Sequence, residues 1–293
     1  MRFTENNGQA MLSLGDTFAL QTLEAALRAD RRPKLVVSDF DDTLCHQYTF
    51  DGETNNHAAI IDERVVEAAR ALPLLIATAT RAEHPKIKQI WESGLLPANG
   101  RLIAENGGVI VNNNGDVLWA AVERDTVDTL HQHVLEALPD MFALPQDIRL
   151  IAKKGLTMLV VRAQRQNGQP DPHIQTELQD ALQQTVGSTW SVVDGGRSLS
   201  VQHPNVNKLA GVNRTGLSRR DYCVVGFGDS PNDIPLLAGA DVAIAVGERI
   251  AAHADIVLEA SPAEIASVLR CIGSTSTQFS GWRTQNEPWK GAY

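Results

Sequence analysis

The chain has 293 residues, 43% of them hydrophobic and 21% charged, with a formal net charge of -9. That balance is the balance of a globular chain with ample material for one large or two ordinary domains. The acidic excess argues against a nucleic-acid or anionic-membrane surface, and no apolar run reaches the roughly 18 to 20 residues of a membrane span. Met1 to Asp30 lacks the basic start and apolar stretch of a secretory signal. Cys45, Cys223 and Cys271 are odd in number and widely spaced, which suits free thiols in a reducing, cytoplasmic setting better than a disulfide or metal framework.

In chain order, apolar residues at Phe18, Leu20, Leu23, Ala26 and Leu27 predict an amphipathic helix that packs on the main domain. A buried strand follows at Leu35 to Ser38. Then come a helix (Ile61 to Ala71), a strand (Leu72 to Ala77), a helix (Pro85 to Ser93) and a strand (Arg101 to Ala104). This alternation indicates a parallel sheet with helices on both faces. The period then changes. Gly108 to Val111 and Val117 to Ala121 flank Asn-Asn-Asn-Gly, a hairpin signal. Helix Thr126 to Ala137 precedes strand-like runs Ile148 to Ala152 and Leu156 to Arg162. Helix Ile174 to Thr185 precedes Trp190 to Val193 and Ser198 to Gln202. Two rounds of helix and hairpin describe a small α+β module with an open antiparallel sheet. From Asn207 the α/β alternation returns, with strands at Tyr222 to Gly226, Val242 to Val246 and Ile256 to Leu258, and a last helix at Pro262 to Cys271. The expected division is an N-terminal extension (1–33), an α/β core in two parts (34–107 and 202–272), an inserted module (108–201) and a tail (273–293).

The first strand ends in chemistry. Leu35-Val36-Val37-Ser38 runs straight into Asp39-Phe40-Asp41-Asp42-Thr43. A cluster of carboxylates at the C-terminal edge of a parallel sheet sits where open α/β folds bind ligands. Buried like charge is costly unless neutralised, and a hard cation such as Mg²⁺ prefers such oxygen donors. Three further segments stand in order behind it: Leu74-Leu75-Ile76-Ala77-Thr78-Ala79-Thr80-Arg81, Asn205-Val206-Asn207-Lys208, and Val224-Val225-Gly226-Phe227-Gly228-Asp229-Ser230-Pro231-Asn232-Asp233.

Together these four segments resemble the motifs of the haloacid dehalogenase superfamily of phosphatases. The inserted module resembles its class II cap, subclass b. The resemblance covers about Lys34 to Arg270. It implies a Rossmann-like core and an aspartyl-phosphate mechanism with Asp39 as nucleophile and Asp41 as general acid and base. It implies Mg²⁺ held by Asp39, Asp41 (usually through its backbone carbonyl), Asp229 and Asp233. Thr78 would hold a phosphoryl oxygen, with Thr80 as its rival. Lys208 would pair with nucleophile and phosphate, with Lys153 and Lys154 as alternatives, and Asn232 would support the phosphate or the metal shell. Ala104-Glu105-Asn106-Gly107-Gly108 is similar to the entry to the cap in these phosphatases. Thr80-Arg81-Ala82-Glu83 and Asp194-Gly195-Gly196-Arg197 are similar to segments of the mannosyl-3-phosphoglycerate and sucrose-phosphate phosphatase group. Arg81 and Arg197 thus become candidate substrate contacts, against the plainer readings of an exposed ion pair and an ordinary hairpin turn.

The resemblance implies a phosphomonoester hydrolase acting on a sugar phosphate or glycosyl phosphate, its partner a small phosphate ester, its state a monomer or homodimer. The alternatives are a phosphomutase, since phosphomannomutases share this kind of cap, and a non-catalytic sugar-phosphate-binding regulator. A dehalogenase lacks the second aspartate of the first motif. A P-type pump needs membrane helices that are absent from the sequence.

Overall fold

The computed structural model describes residues 17–51, 56–79, 85–97, 100–112, 115–142, 144–165, 172–196 and 198–276. Thr80, Arg81 and Arg197 lie outside them.

The main domain is an eight-stranded sheet. Strand β1 (Lys34–Asp39) lies near its middle, and β2 (Gln47–Asp51) and β3 (Asn56–Ile60) form a separate small hairpin after it. The sheet continues with β4 (Leu75–Ala79), β5 (Arg101–Ala104), β6 (Val109–Val111) and β7 (Val117–Ala120). The inserted module supplies β8 (Ile148–Lys154), β9 (Met158–Arg165), β10 (Ser191–Asp194) and β11 (Leu199–Gln202). The chain then returns to the main sheet with β12 (Cys223–Gly228), β13 (Val242–Val246) and β14 (Ile256–Leu258). The order across the main sheet is β14-β13-β12-β1-β4-β5-β6-β7. The first six are mutually parallel, and β6 and β7 are antiparallel additions at one edge.

Every residue of β1 is buried because both faces of the sheet are covered. Alternate side chains feed two cores. Val36 packs with α1 (Thr17–Ala29), α2 (Glu63–Arg70) and α8 (Pro262–Thr275), through Leu23, Leu27, Val65, Ile265 and Leu269. Leu35 and Val37 face the other layer, which contains α6 (Lys208–Arg214) and α7 (Ile234–Gly239), through Val212 and Leu236. Helix α3 (Pro85–Glu92) completes the first layer through Ile87 and Ile90. The N-terminal helix is therefore part of the main core. Helix α2 starts where Asp62 accepts a hydrogen bond from the Arg64 amide, an N-cap of the usual kind.

The second sheet is four-stranded and wholly antiparallel, in the order β10-β11-β9-β8. Helices α4 (Arg124–Met141) and α5 (Pro172–Val186) cover one face, and Leu130, Val134, Leu159, Val161, Leu182, Leu199 and Val201 make a core of its own. Alternation puts Ser200, Gln202, Arg162 and Gln164 on the opposite face.

One boundary differs from the sequence reading. The strands read at 108–121 as the opening of the inserted module instead hydrogen-bond to β5 and extend the main sheet. The second sheet is built from 148–202 alone. A hairpin's own turn signal cannot say which sheet its outer edge will join.

Candidate active site

Sheet register assembles the site. Asp39 lies beside Thr78 across the β1–β4 pairing, and Ser38 lies beside Phe227 across β1–β12. Three strand ends, carrying Asp39, Thr78 and the loop after Gly228, thus fall on one sheet edge. This is the carboxyl edge on which open α/β sheets bind ligands.

Lys208 is the centre of the charge network. It is only 2% exposed, and its Nζ donates to Asp39 Oδ1 at 2.6 Å and to Asp233 Oδ1 at 2.5 Å. Asn207 caps its helix by accepting from the Ala210 amide, which fixes where the lysine leaves the backbone. The Thr78 hydroxyl donates to Asp39 Oδ1 at 3.2 Å. Lys153 and Lys154 lie in the antiparallel module, and Lys154 pairs there with Asp128.

Asp233 is a buttress. Its Oδ2 accepts from the backbone amides of Asp229 (3.1 Å) and Ser230 (3.2 Å) and from the Ser230 hydroxyl (3.3 Å), while Oδ1 takes Lys208. The contact needs Gly228, since a Cβ there would lie 2.3 Å from the Asp233 Cβ. Asp229 accepts from the Thr43 hydroxyl at 3.2 Å. Asp42 takes a left-handed backbone, φ 59°, in the turn after Phe40. Asp41 is half-buried beside it, and its charge is felt at Asp39.

Carboxylate oxygens of Asp39, Asp229 and Asp233 all lie within 4.8 Å of one another. Burial, offset in part by Lys208 and reinforced by Asp233 and Asp41, pushes the Asp39 carboxyl up to about 7. Burial and the repulsion of Asp39 and Asp233 push Asp229 up to about 8. Lys208 goes up as well: burial works against its charge, but Asp233 and Asp39 outweigh it. One lysine does not balance three crowded carboxylates. An all-oxygen, anionic donor set short of positive charge fits a hard divalent cation. Oδ2 of Asp39 and of Asp229 take part in none of the bonds above. Asp233 is spent on Lys208 and the loop, and the Asp41 carboxylate is not in the cluster.

Several residues of the site lie outside the four motifs, in the segment Ala104-Glu105-Asn106-Gly107-Gly108. Glu105, Asn106 and Gly107, where the chain leaves β5, all have positive φ (55°, 53° and 100°). Glu105 is fully buried and accepts from the Leu156 and Thr157 amides and the Thr157 hydroxyl, at 2.9, 2.6 and 2.8 Å. It thereby ties the main domain to the β8–β9 turn. Arg249 donates to Asp194 at 2.6 Å, a second tie at the β10–β11 turn. Among the described residues no helix is long and apolar enough to cross a membrane.

Residues 168–266 match the family model of haloacid dehalogenase-like hydrolases, a span that holds Lys208, Asn232, Asp229 and Asp233 but not Asp39. No curated protein matches the chain. Among solved structures it is similar to a sugar phosphatase of haloacid dehalogenase subclass IIB, with 15% identity, a TM-score of 0.55, and 82% of this chain and 99% of that one covered. It is also similar to the C-terminal domain of C. albicans trehalose-6-phosphate phosphatase, with 16% identity, a TM-score of 0.59, and 87% and 96% covered. Aspergillus fumigatus trehalose-6-phosphate phosphatase follows, with 19% identity, a TM-score of 0.51, and 88% and 98% covered. The chain thus has the fold of the haloacid dehalogenase class with a class II cap, a Rossmann-like core plus a separate antiparallel cap sheet. The family match, confined to residues 168–266, is to a hydrolase model.

Proposed function

We propose that the protein is a Mg²⁺-dependent phosphomonoester hydrolase acting on a sugar phosphate or glycosyl phosphate through an aspartyl-phosphate at Asp39. The observation that carries this reading is the Asp39–Lys208–Asp233 network at the end of the central strand, with Thr78 and Asp229 beside it. Phosphoryl transfer asks mainly for positioning and charge neutralisation. Asp39 supplies the attacking carboxylate oxygen. The bond from phosphorus to the ester oxygen breaks as the bond to Asp39 forms, and Asp41 gives the departing alkoxide its proton. Asp41 then takes a proton from water, which attacks phosphorus and returns Asp39 to a carboxylate. Lys208 and the Thr78 hydroxyl hold the nucleophile and the phosphoryl oxygens, and Asn232 adds an amide donor. Asp39 and Asp229 would hold Mg²⁺, with the Asp41 carbonyl, and the ion would neutralise phosphoryl charge.

In this reading 34–107 and 202–272 are the catalytic core, extended by the β6–β7 hairpin, and the module from there through Val201 is a cap that selects the leaving group. Three thiols without a disulfide suit the cytoplasm. The test is a panel of phosphorylated sugars assayed with Mg²⁺ and with chelator, Asp39→Asn serving as the blank. Turnover of one sugar phosphate that vanishes in chelator and in Asp39→Asn is the expected result. Undiminished activity in either would refute it.

A further inference from the structure

A run of side-chain amides crosses from the cap to the phosphate site. Gln202, at the end of β11, donates from Nε2 to the Val206 carbonyl at 2.7 Å. Its Oε1 accepts from Asn106 Nδ2 at 2.8 Å. Asn106 Oδ1 in turn accepts from Asn232 Nδ2 at 3.2 Å. Asn232 Oδ1 accepts from the Ser230 hydroxyl at 2.8 Å. Asn106 and Gln202 are buried, 7% and 4% exposed.

An amide group can face either way, and its neighbours decide which. Here the decision is made at one end. A backbone carbonyl can only accept, so Gln202 must turn its nitrogen to Val206. Its oxygen is then left for Asn106, which must offer nitrogen to Gln202 and oxygen to Asn232. Asn232 must therefore present nitrogen on that side. The Ser230 hydroxyl can donate or accept, so it follows this order and does not set it. The Asn232 nitrogen also faces the cap turn, since a Cβ on Gly195 would lie 3.5 Å from it. An amide nitrogen carries two hydrogens, and Asn106 takes one.

We propose that Asn106 is a positioning residue for substrate binding: it holds the Asn232 amide so that nitrogen, and not oxygen, is presented to the phosphate ester. An Asn232 free to flip would half the time turn a carbonyl oxygen on an anion. The inference rests on the phosphatase reading and gives a role at the site to Asn106, which the cap-entry segment had only placed between core and cap. It also explains why asparagine stands at 106, where a left-handed backbone (φ 53°, ψ 26°) favours asparagine or glycine.

That backbone supplies a clean variant. Asn106→Gly removes the amide and keeps the conformation. Against an aryl phosphate with Mg²⁺, kcat/KM should fall about 10-fold, chiefly through KM, as for a lost hydrogen bond to a charged group. Asn232→Ala should fall at least as far, and the double variant no further than Asn232→Ala alone. Gln202→Met, which removes the source of the order from a second position, should show the same non-additivity with Asn232→Ala. It keeps the test open should Asn106→Gly not fold. Wild-type kinetics in Asn106→Gly, or losses that multiply in the double variant, would overturn the inference and leave the phosphatase reading standing. A wild-type protein that hydrolyses no phosphate ester would overturn both.

Discussion

The two halves of the molecule treat charge in opposite ways. In the core, Lys208, Asp39 and Asp233 are buried against one another, and the cost of burial shows at Asp39 and at neighbouring Asp229, whose carboxyls are displaced toward neutral pH. In the cap the ion pairs lie nearer the surface: Arg165 and Asp147 pair at 3.2 Å with side chains 52% and 59% exposed, and Lys154 pairs with Asp128, both half-buried. Buried pairs are poor sources of stability, because desolvation cancels most of their attraction, and exposed pairs are weak because water screens them. A network that stabilises little yet is buried so fully is a network kept for what it does. The contrast agrees with the proposed reading, in which the core does the chemistry and the cap selects the leaving group.

The largest effect should come from Asp39, the proposed nucleophile. Asp39→Asn should lower turnover by about 10⁴-fold or more, the scale on which loss of a covalent nucleophile acts, with a folded protein by circular dichroism. A cap variant that abolished turnover of a small aryl phosphate as completely would break the division of labour. Next is Lys208→Met. Removing one partner from a buried pair typically costs about 3 to 5 kcal/mol, so the melting temperature should drop sharply without metal and recover in part with Mg²⁺. An unchanged melting curve would mean that the core charges are as idle as those of the cap.

The pH dependence gives a finer measure. Asp39 and Asp229 sit at about 7 and 8, against a usual value of 3.8. Between these limits the folded, metal-free protein binds more protons than the unfolded chain. The contribution of these two groups to stability is therefore complete below pH 3.8 and is lost as pH rises through 7 and 8. Mg²⁺ must displace those protons, so its affinity should rise with pH over the same window. Calorimetry in buffers of differing ionisation enthalpy should find proton release near pH 6.5 that fades by pH 9. Constant affinity across that range would contradict the charge assignment. The smallest effect belongs to the cap surface: Arg165→Ala should change stability by less than about 1 kcal/mol and leave aryl phosphate turnover alone.

What the sequence showed depended on whether the signal was local. β1, β4 and β12 were legible because a strand buried on both faces is a plain apolar run. The acids that end β1 and β12 stood out against it. The β2–β3 hairpin was not read, since Gln47-Tyr48-Thr49-Phe50-Asp51 and Asn56-His57-Ala58-Ala59-Ile60 carry little apolar alternation. The β6–β7 hairpin was found but given to the cap, because its partner β5 lies outside its own pattern. Thr78, Lys208, Asp229 and Asp233 were picked out, and the fold brings them to Asp39; Asp41 lies on the same loop, its carboxylate outside the cluster. Ala104-Glu105-Asn106-Gly107-Gly108 was legible as the entry to the cap, but the partners of Glu105 and Asn106 were not, nor was Gln202 as part of the site. The relay they form depends on residues nearly a hundred positions apart, and no spacing announces it.

The crossing point between the halves has one more consequence. A Cβ on Gly107 would stand 2.1 Å from the Asn207 carbonyl oxygen, and the Ala121 amide, just past β7, donates to the neighbouring Gly108 carbonyl at 2.8 Å, so the chain leaves the main sheet close to where it returns. A segment whose two ends already meet can be exchanged for another without stretching its host. The core could carry a different cap, of different length and preference, spliced at 121 and 207 so that β6 and β7 stay in the main sheet, and keep its chemistry. What such a graft would have to reproduce is small: a backbone turn offering two amides and a hydroxyl to Glu105, and an amide in the place of Gln202. New specificity on this scaffold is, to that extent, a matter of replacing a part.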